Sequence, residues 1–74
     1  MKSTQIRLSG VEDVRTFVEA AGRCDFDIEV KYNRISVDAK SMLGVMSICS
    51  NPFWVCTDGV DDHFEALLEK FRAE

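Results

Sequence analysis

His63 is the only histidine in the chain, so nucleophilic catalysis of the Ser–His or Cys–His kind would have to be built around it, with a further group to orient its ring. It falls in the first turn of a helix-patterned segment, beside Asp62 and one turn before Leu67. That is the place of a surface or rim histidine. Cys24, Cys49 and Cys56 are odd in number and contain no C-x-x-C pair, so neither a disulfide framework nor a zinc site is indicated. Each is expected to fill apolar space as a small side chain. No metal and no cofactor follow from these residues.

Two further positions have chemistry attached to their placement. Gly10 precedes a helix start, where backbone N–H groups and the helix dipole can hold an anion. It lacks the companion glycines of a phosphate-cradling loop, and Glu12 already brings a carboxylate to that end. Ser9 and Glu12 make the S-x-x-E pattern of a capping box, in which each side chain satisfies a free N–H of the first turn. Ser41 follows Lys40, opens a second helix and precedes an apolar patch of Met42, Leu43 and Met46. An N-cap accounts for such a serine. Phosphate added there would also gain from the helix N-terminus and repel a partner docking on the patch.

The elements that must position these residues are legible in the hydrophobic spacing. Ile6 and Leu8 share one side of a strand over Thr4 to Leu8, with Gln5 and Arg7 on the other. Val11, Val14, Phe17, Val18 and Ala21 recur at helical spacing over residues 10–21, and Gly22 stands where a left-handed cap belongs. Phe26, Ile28, Val30 and Tyr32 alternate with Asp25, Asp27, Glu29 and Lys31, a strand with one buried face. Asn33 suits a tight turn that needs positive φ, Arg34 suits it less, and Ile35 and Val37 continue on a return strand. A short helix over residues 41–47 follows, then a nearly all-apolar central strand from Phe53 to Thr57. Asp58-Gly59 turns the chain into a last helix with Phe64, Leu67, Leu68 and Phe71 on one face and Asp61 and Asp62 at its positive end. The order β-α-β-β-α-β-α predicts an α+β open-faced sandwich: one four-stranded antiparallel sheet with helices on one face.

Composition narrows the function. The chain has 74 residues, read as a single domain over 1–74, with 46% hydrophobic residues, enough for a packed core. Thirteen acids against nine bases give a formal net charge of −4, which argues against nucleic acid and anionic membranes as partners. Residues 1–7 hold no signal-peptide core and no stretch reaches membrane-spanning length, so a reduced, cytoplasmic setting is expected.

The segment from Asp25 to Ile48 resembles the HPr phosphocarriers, the small histidine-containing proteins of the bacterial sugar phosphotransferase system. The resemblance lies in Tyr32-Asn33, Val37 and the run Lys40-Ser41-Met42-Leu43-Gly44-Val45-Met46-Ser47-Ile48. It extends more loosely over Phe17-Val18-Glu19-Ala20 and over Asp61 to Phe71. In that family a histidine at the start of the first helix takes phosphate from Enzyme I and passes it to sugar-specific transport components. A nearby arginine and the helix N-terminus stabilise the phosphohistidine. Here that stretch is a shortened Ser9-Gly10-Val11-Glu12-Asp13-Val14-Arg15, without histidine and with Arg15 in the place of the family's arginine.

Ser41 aligns with the serine that a dedicated ATP-dependent kinase phosphorylates in HPr of low-GC Gram-positive bacteria, and Met42, Leu43 and Met46 match positions that dock on partner proteins. The resemblance therefore implies a non-enzymatic, protein-binding regulatory module. Its degenerate phospho-loop would be Gly10, Glu12 and Arg15, and its partners phosphotransferase-system proteins or their regulators, HPr kinase among them. Two alternatives stand beside it: a phosphocarrier using Glu12, Asp13 or His63 as acceptor, and a small-ligand or metal-sensing module on the same sandwich.

Overall fold

The computed structural model describes residues 2–73. Its elements run β1 (Lys2–Ile6), α1 (Gly10–Gly22), β2 (Ile28–Tyr32), β3 (Ile35–Asp38), α2 (Met42–Ile48), β4 (Phe53–Thr57) and α3 (Asp62–Phe71). The strands form one antiparallel sheet in the order β1-β4-β2-β3, so the most apolar strand, β4, is central, as its composition requires. This is the α+β open-faced sandwich with the β-α-β-β-α-β-α order that the sequence predicts.

The core forms between the sheet and the helices. Phe17 of α1 is fully buried, edge-on to Phe53 of β4 at 6.0 Å between ring centroids and tilted against Phe64 of α3 at 5.8 Å. These three rings join the first helix, the central strand and the last helix, at spacings where aromatic pairs attract beyond their buried area. In the β2–β3 hairpin Tyr32 pairs with Ile35, and Asn33 takes φ 54°. No other described non-glycine residue has positive φ, so Arg34 is not strained.

Four backbone differences from the sequence reading bear on the strand and helix ends, each for a local reason. β1 lies two residues earlier than expected. Leu8 is still buried, but Arg7 N–H donates to the Phe71 carbonyl at 2.8 Å and Ala73 N–H to the Gln5 carbonyl at 3.0 Å, which draws the chain toward the end of α3. β2 begins at Ile28, because its neighbour β4 ends opposite it at Thr57. Phe26 instead packs over Gly59, where a Cβ would stand 2.5 Å from its ring.

The third difference is at Gly22, which is not a left-handed cap. α1 runs through it to Arg23, which has φ −82°, and the last turn closes by bonds from Arg23 and Cys24 N–H groups to the Ala20 and Ala21 carbonyls. The fourth is the capping box, which does not form. Gly10 has φ 81°, outside the helical range, so the regular turn starts later than S-x-x-E assumes. The Ser9 side chain makes no cap bond, and it is Asp13, not Glu12, whose carboxylate accepts from Ser9 N–H, at 2.9 Å.

Candidate functional site

Ser41 is the N-cap of α2. Its extended backbone, φ −100° and ψ 114°, lets Oγ accept from Gly44 N–H at 3.1 Å while its carbonyl accepts from Val45 N–H at 3.0 Å. The loop before it is fixed from two sides. Ser41 N–H donates to the Asp38 carbonyl at 3.0 Å, and Lys40 N–H donates to Asp38 Oδ1 at 2.9 Å. The Lys40 ammonium reaches the Cys24 carbonyl at 2.9 Å, tying the start of α2 to the exit of α1. Ser41 is nevertheless exposed. Its oxygen has a capping role that uses one lone pair, and its O–H proton remains available.

The apolar residues after Ser41 divide. Leu43 is 82% exposed and Met46 43% exposed. Met42 is half-buried and packs against the core. Gly44 lies between them and supplies both a donor to Ser41 and an acceptor for Ser47, whose Oγ donates to its carbonyl at 2.6 Å. α2 carries no acidic residue in its first turn and no basic residue in its last, so what it presents outward is apolar surface and hydroxyls. Val11 belongs with the residues that periodicity misplaced: assigned to the buried face of α1, it is 55% exposed in the first turn. The signal was its neighbour Gly10, whose positive φ rotates the start of the helix.

At the start of α1, Gly10, Glu12 and Arg15 are all exposed, and Asp13 supplies the carboxylate that holds the first turn. His63 is not part of this group. It borders a cavity of about 270 Å³ with Ala20, Arg23, Asp61 and Phe64, at the other end of α1. From Glu12 to Arg23 the helix rises roughly 16 Å, so His63 shares no reaction centre with Glu12 or Asp13. Asp61 is occupied as the N-cap of α3, its Oδ1 accepting from Phe64 N–H at 2.8 Å.

All three cysteines are free. Cys24 joins the core cluster, and burial, with Asp61 second, pushes its thiol up, so it stays a protonated filler donating to the Ala20 carbonyl at 3.6 Å. Among the described residues no three His, Cys, Asp or Glu side chains are grouped to hold a metal ion. No described helix is long and apolar enough to cross a membrane.

No curated protein matches the chain. Two solved structures share its fold at 24% identity each. The HPr-C-His protein of Thermoanaerobacter tengcongensis superposes with a TM-score of 0.74, over 95% of this chain and 89% of that one. The phosphocarrier protein HPr of Bacillus anthracis str. Ames superposes with a TM-score of 0.73, over 96% of each chain. Residues 14–52, which run from the first helix past Ser41 to the start of the central strand, match the family described as the PTS HPr component phosphorylation site. With more than half of its sequence in that match and the sandwich around it shared, the chain belongs to the HPr family.

Proposed function

We propose that this HPr-family domain is a protein-binding, regulatory member of the phosphotransferase system, not an enzyme and not a phosphohistidine carrier. The observation that carries the reading is what stands at the start of α1. The Asp13 carboxylate holds Ser9 N–H there, and the chain's one imidazole, His63, lies on α3. Forming a phosphoramidate needs an imidazole nitrogen beside the helix N-terminus. The degenerate loop of Gly10, Glu12 and Arg15 offers none.

Ser41 is the proposed acceptor for a kinase of the HPr kinase type, using ATP. Its Oγ attacks the γ-phosphorus, the bond to ADP breaks, and the hydroxyl proton passes to a base of the kinase. The exposed hydroxyl and its tethered loop support this role. Leu43 and Met46, with the edge of Met42, form the surface on which phosphotransferase-system proteins or their regulators dock. A phosphate carrying about −1.5 to −2 charge beside that patch changes which partner it accepts. The setting is the cytoplasm.

Two incubations test the proposal. With phosphoenolpyruvate and Enzyme I the protein should acquire no phosphate, and a stoichiometric acid-labile phosphoprotein would overturn the claim that carrier chemistry is lost. With ATP and an HPr kinase it should acquire one acid-stable phosphate that Ser41→Ala abolishes. Labelling that persists in Ser41→Ala would remove Ser41 from its role.

A further inference from the structure

The helices cover one face of the sheet, and the opposite face presents two rows of side chains whose register is fixed by strand pairing. Gln5, Trp54, Lys31 and Ser36 stand side by side across β1, β4, β2 and β3, and Ser3, Cys56, Glu29 and Asp38 form the adjoining row. The rows differ in chemistry. Trp54 is 47% exposed although it lies on an interior strand. Tryptophan is one of the side chains enriched at the energetic centres of protein interfaces.

The second row opens into a groove of about 410 Å³ bordered by Asp27, Glu29, Asp38 and Asp58, with Val37 and Cys56 in its lining. These are four of the chain's thirteen acids, and Lys31 stands as a counter-charge 3.5 Å from Glu29. Glu29 and Asp38 are direct cross-strand partners, so the register sets two carboxylates side by side on the open face. The Ser36 hydroxyl donates to Glu29 and, with Lys31 3.5 Å away, holds its carboxyl below the usual range, so the groove is anionic at neutral pH.

The spread of the acids decides what kind of cation fits. Among the described residues no three carboxylate, thiol or imidazole groups are gathered to hold a metal ion. The charges are distributed along the groove, which matches several cationic side chains rather than one ion. The flat indole stands in the adjoining row, across from Lys31, and suits a guanidinium plane or the aliphatic stem of a lysine or arginine.

We propose that the open face of the sheet docks a lysine- and arginine-bearing segment of a partner protein, with its charges along Glu29 and Asp38 and one side chain lying against Trp54. Because this face is turned away from the helices, the segment binds without covering Ser41 or Leu43. The domain can then hold two partners at once.

Trp54 is the chain's only tryptophan, so its emission reports the site directly. Titration of the full chain with a hexa-arginine peptide should change that emission saturably, with amide shifts confined to residues 27–38 and 54–58. Hexa-glutamate should do neither. The double variant Glu29→Gln/Asp38→Asn should weaken peptide binding about tenfold, and Trp54→Ser, followed by amide shifts, should weaken it as well. Glu19→Gln/Asp62→Asn makes the same charge change on exposed helical positions and should leave the affinity within about twofold. All are surface substitutions, and far-UV circular dichroism checks that each variant is folded. Equal weakening by the two double variants would reduce the effect to net charge and overturn the proposal. Saturation of the same residues by calcium chloride, with the peptide leaving them unmoved, would overturn it in favour of an ion site.

Discussion

Ser41 and Gly44 are joined by a 3.1 Å hydrogen bond at a place where a side chain on residue 44 would be crowded. A Cβ at that position would lie 3.2 Å from Ser41 Oγ and 3.1 Å from Cβ of Val37 on β3. One neighbour is the capping hydroxyl and the other is fixed by the sheet, so neither yields easily. The glycine lets the start of α2 lie close against the hairpin while its N–H stays open to the serine.

Gly44→Ala should therefore behave unlike an ordinary helical glycine substitution. In an exposed helix the change gains about 1 kcal/mol of propensity. Here the two contacts should outweigh that gain and lower the urea midpoint. Ser41→Ala removes the cap and should cost about 1 kcal/mol, whereas Ser41→Asp keeps an acceptor in place and should stay within about 0.5 kcal/mol of the parent. Equilibrium urea unfolding of the three variants checks the order. A stabilised Gly44→Ala would show that the hairpin gives way.

The start of α1 separates two neighbouring acids. Asp13 accepts from Ser9 N–H at 2.9 Å, while Glu12 is exposed and makes no hydrogen bond among the described residues. Asp13→Ala should lose about 1 kcal/mol, the worth of a capping interaction reinforced by the helix dipole. Glu12→Ala should lose no more than about 0.5 kcal/mol, from the dipole alone. Thermal unfolding at neutral pH and low salt would show the difference, and equal losses would return the capping role to Glu12.

That pair also shows how far the sequence carries. Element order, the central place of β4, the turn at Asn33 and the cap at Ser41 all follow from spacing and residue type, because burial on one face dictates them. What spacing cannot supply is a backbone angle. Gly10 at φ 81° moves the capping contact from Glu12 to Asp13 and exposes Val11, while Gly22, read as the left-handed position, remains helical. A glycine permits positive φ and does not compel it, so residue type alone does not say which of two glycines uses that freedom. The candidate site followed the same division: Ser41 was legible from its motif, but the separation of Met42, which packs on the core, from the exposed Leu43 was not. The groove on the open face was invisible as a site because its acids come from three segments that only the sheet register brings together.

Phe17 and Val11 provide a test of that division, since periodicity placed both on the buried face of α1. Phe17 is fully buried between Phe53 and Phe64, so its loss leaves a cavity in the core. Phe17→Ala should cost about 4 kcal/mol, enough to leave a domain of this size partly unfolded at 37 °C. Val11→Ala should stay within about 0.5 kcal/mol. Circular dichroism melts of both variants check the contrast, and similar losses would mean that Val11 is covered in solution.

Glu29 and Ser36 couple the hairpin to pH. The serine hydroxyl donates to the carboxylate, with Lys31 on the same strand adding to its effect, and the Glu29 carboxyl is held below its ordinary value of 4.5. A group whose pKa is lower folded than unfolded binds fewer protons in the native state. Its contribution to stability is thus complete above the ordinary glutamate range and is lost as pH falls through the folded value. Glu29 is exposed, so the contribution is small and the carboxyl itself is the better reporter. A carbon-detected NMR titration should place the Glu29 midpoint below that of an unperturbed glutamate. Ser36→Ala removes the first cause of the shift and should raise the midpoint toward 4.5, and Lys31→Gln, which removes the ion pair, should raise it as well. The larger rise on Lys31→Gln would mean that the ion pair, not the hydroxyl, sets the charge of the groove.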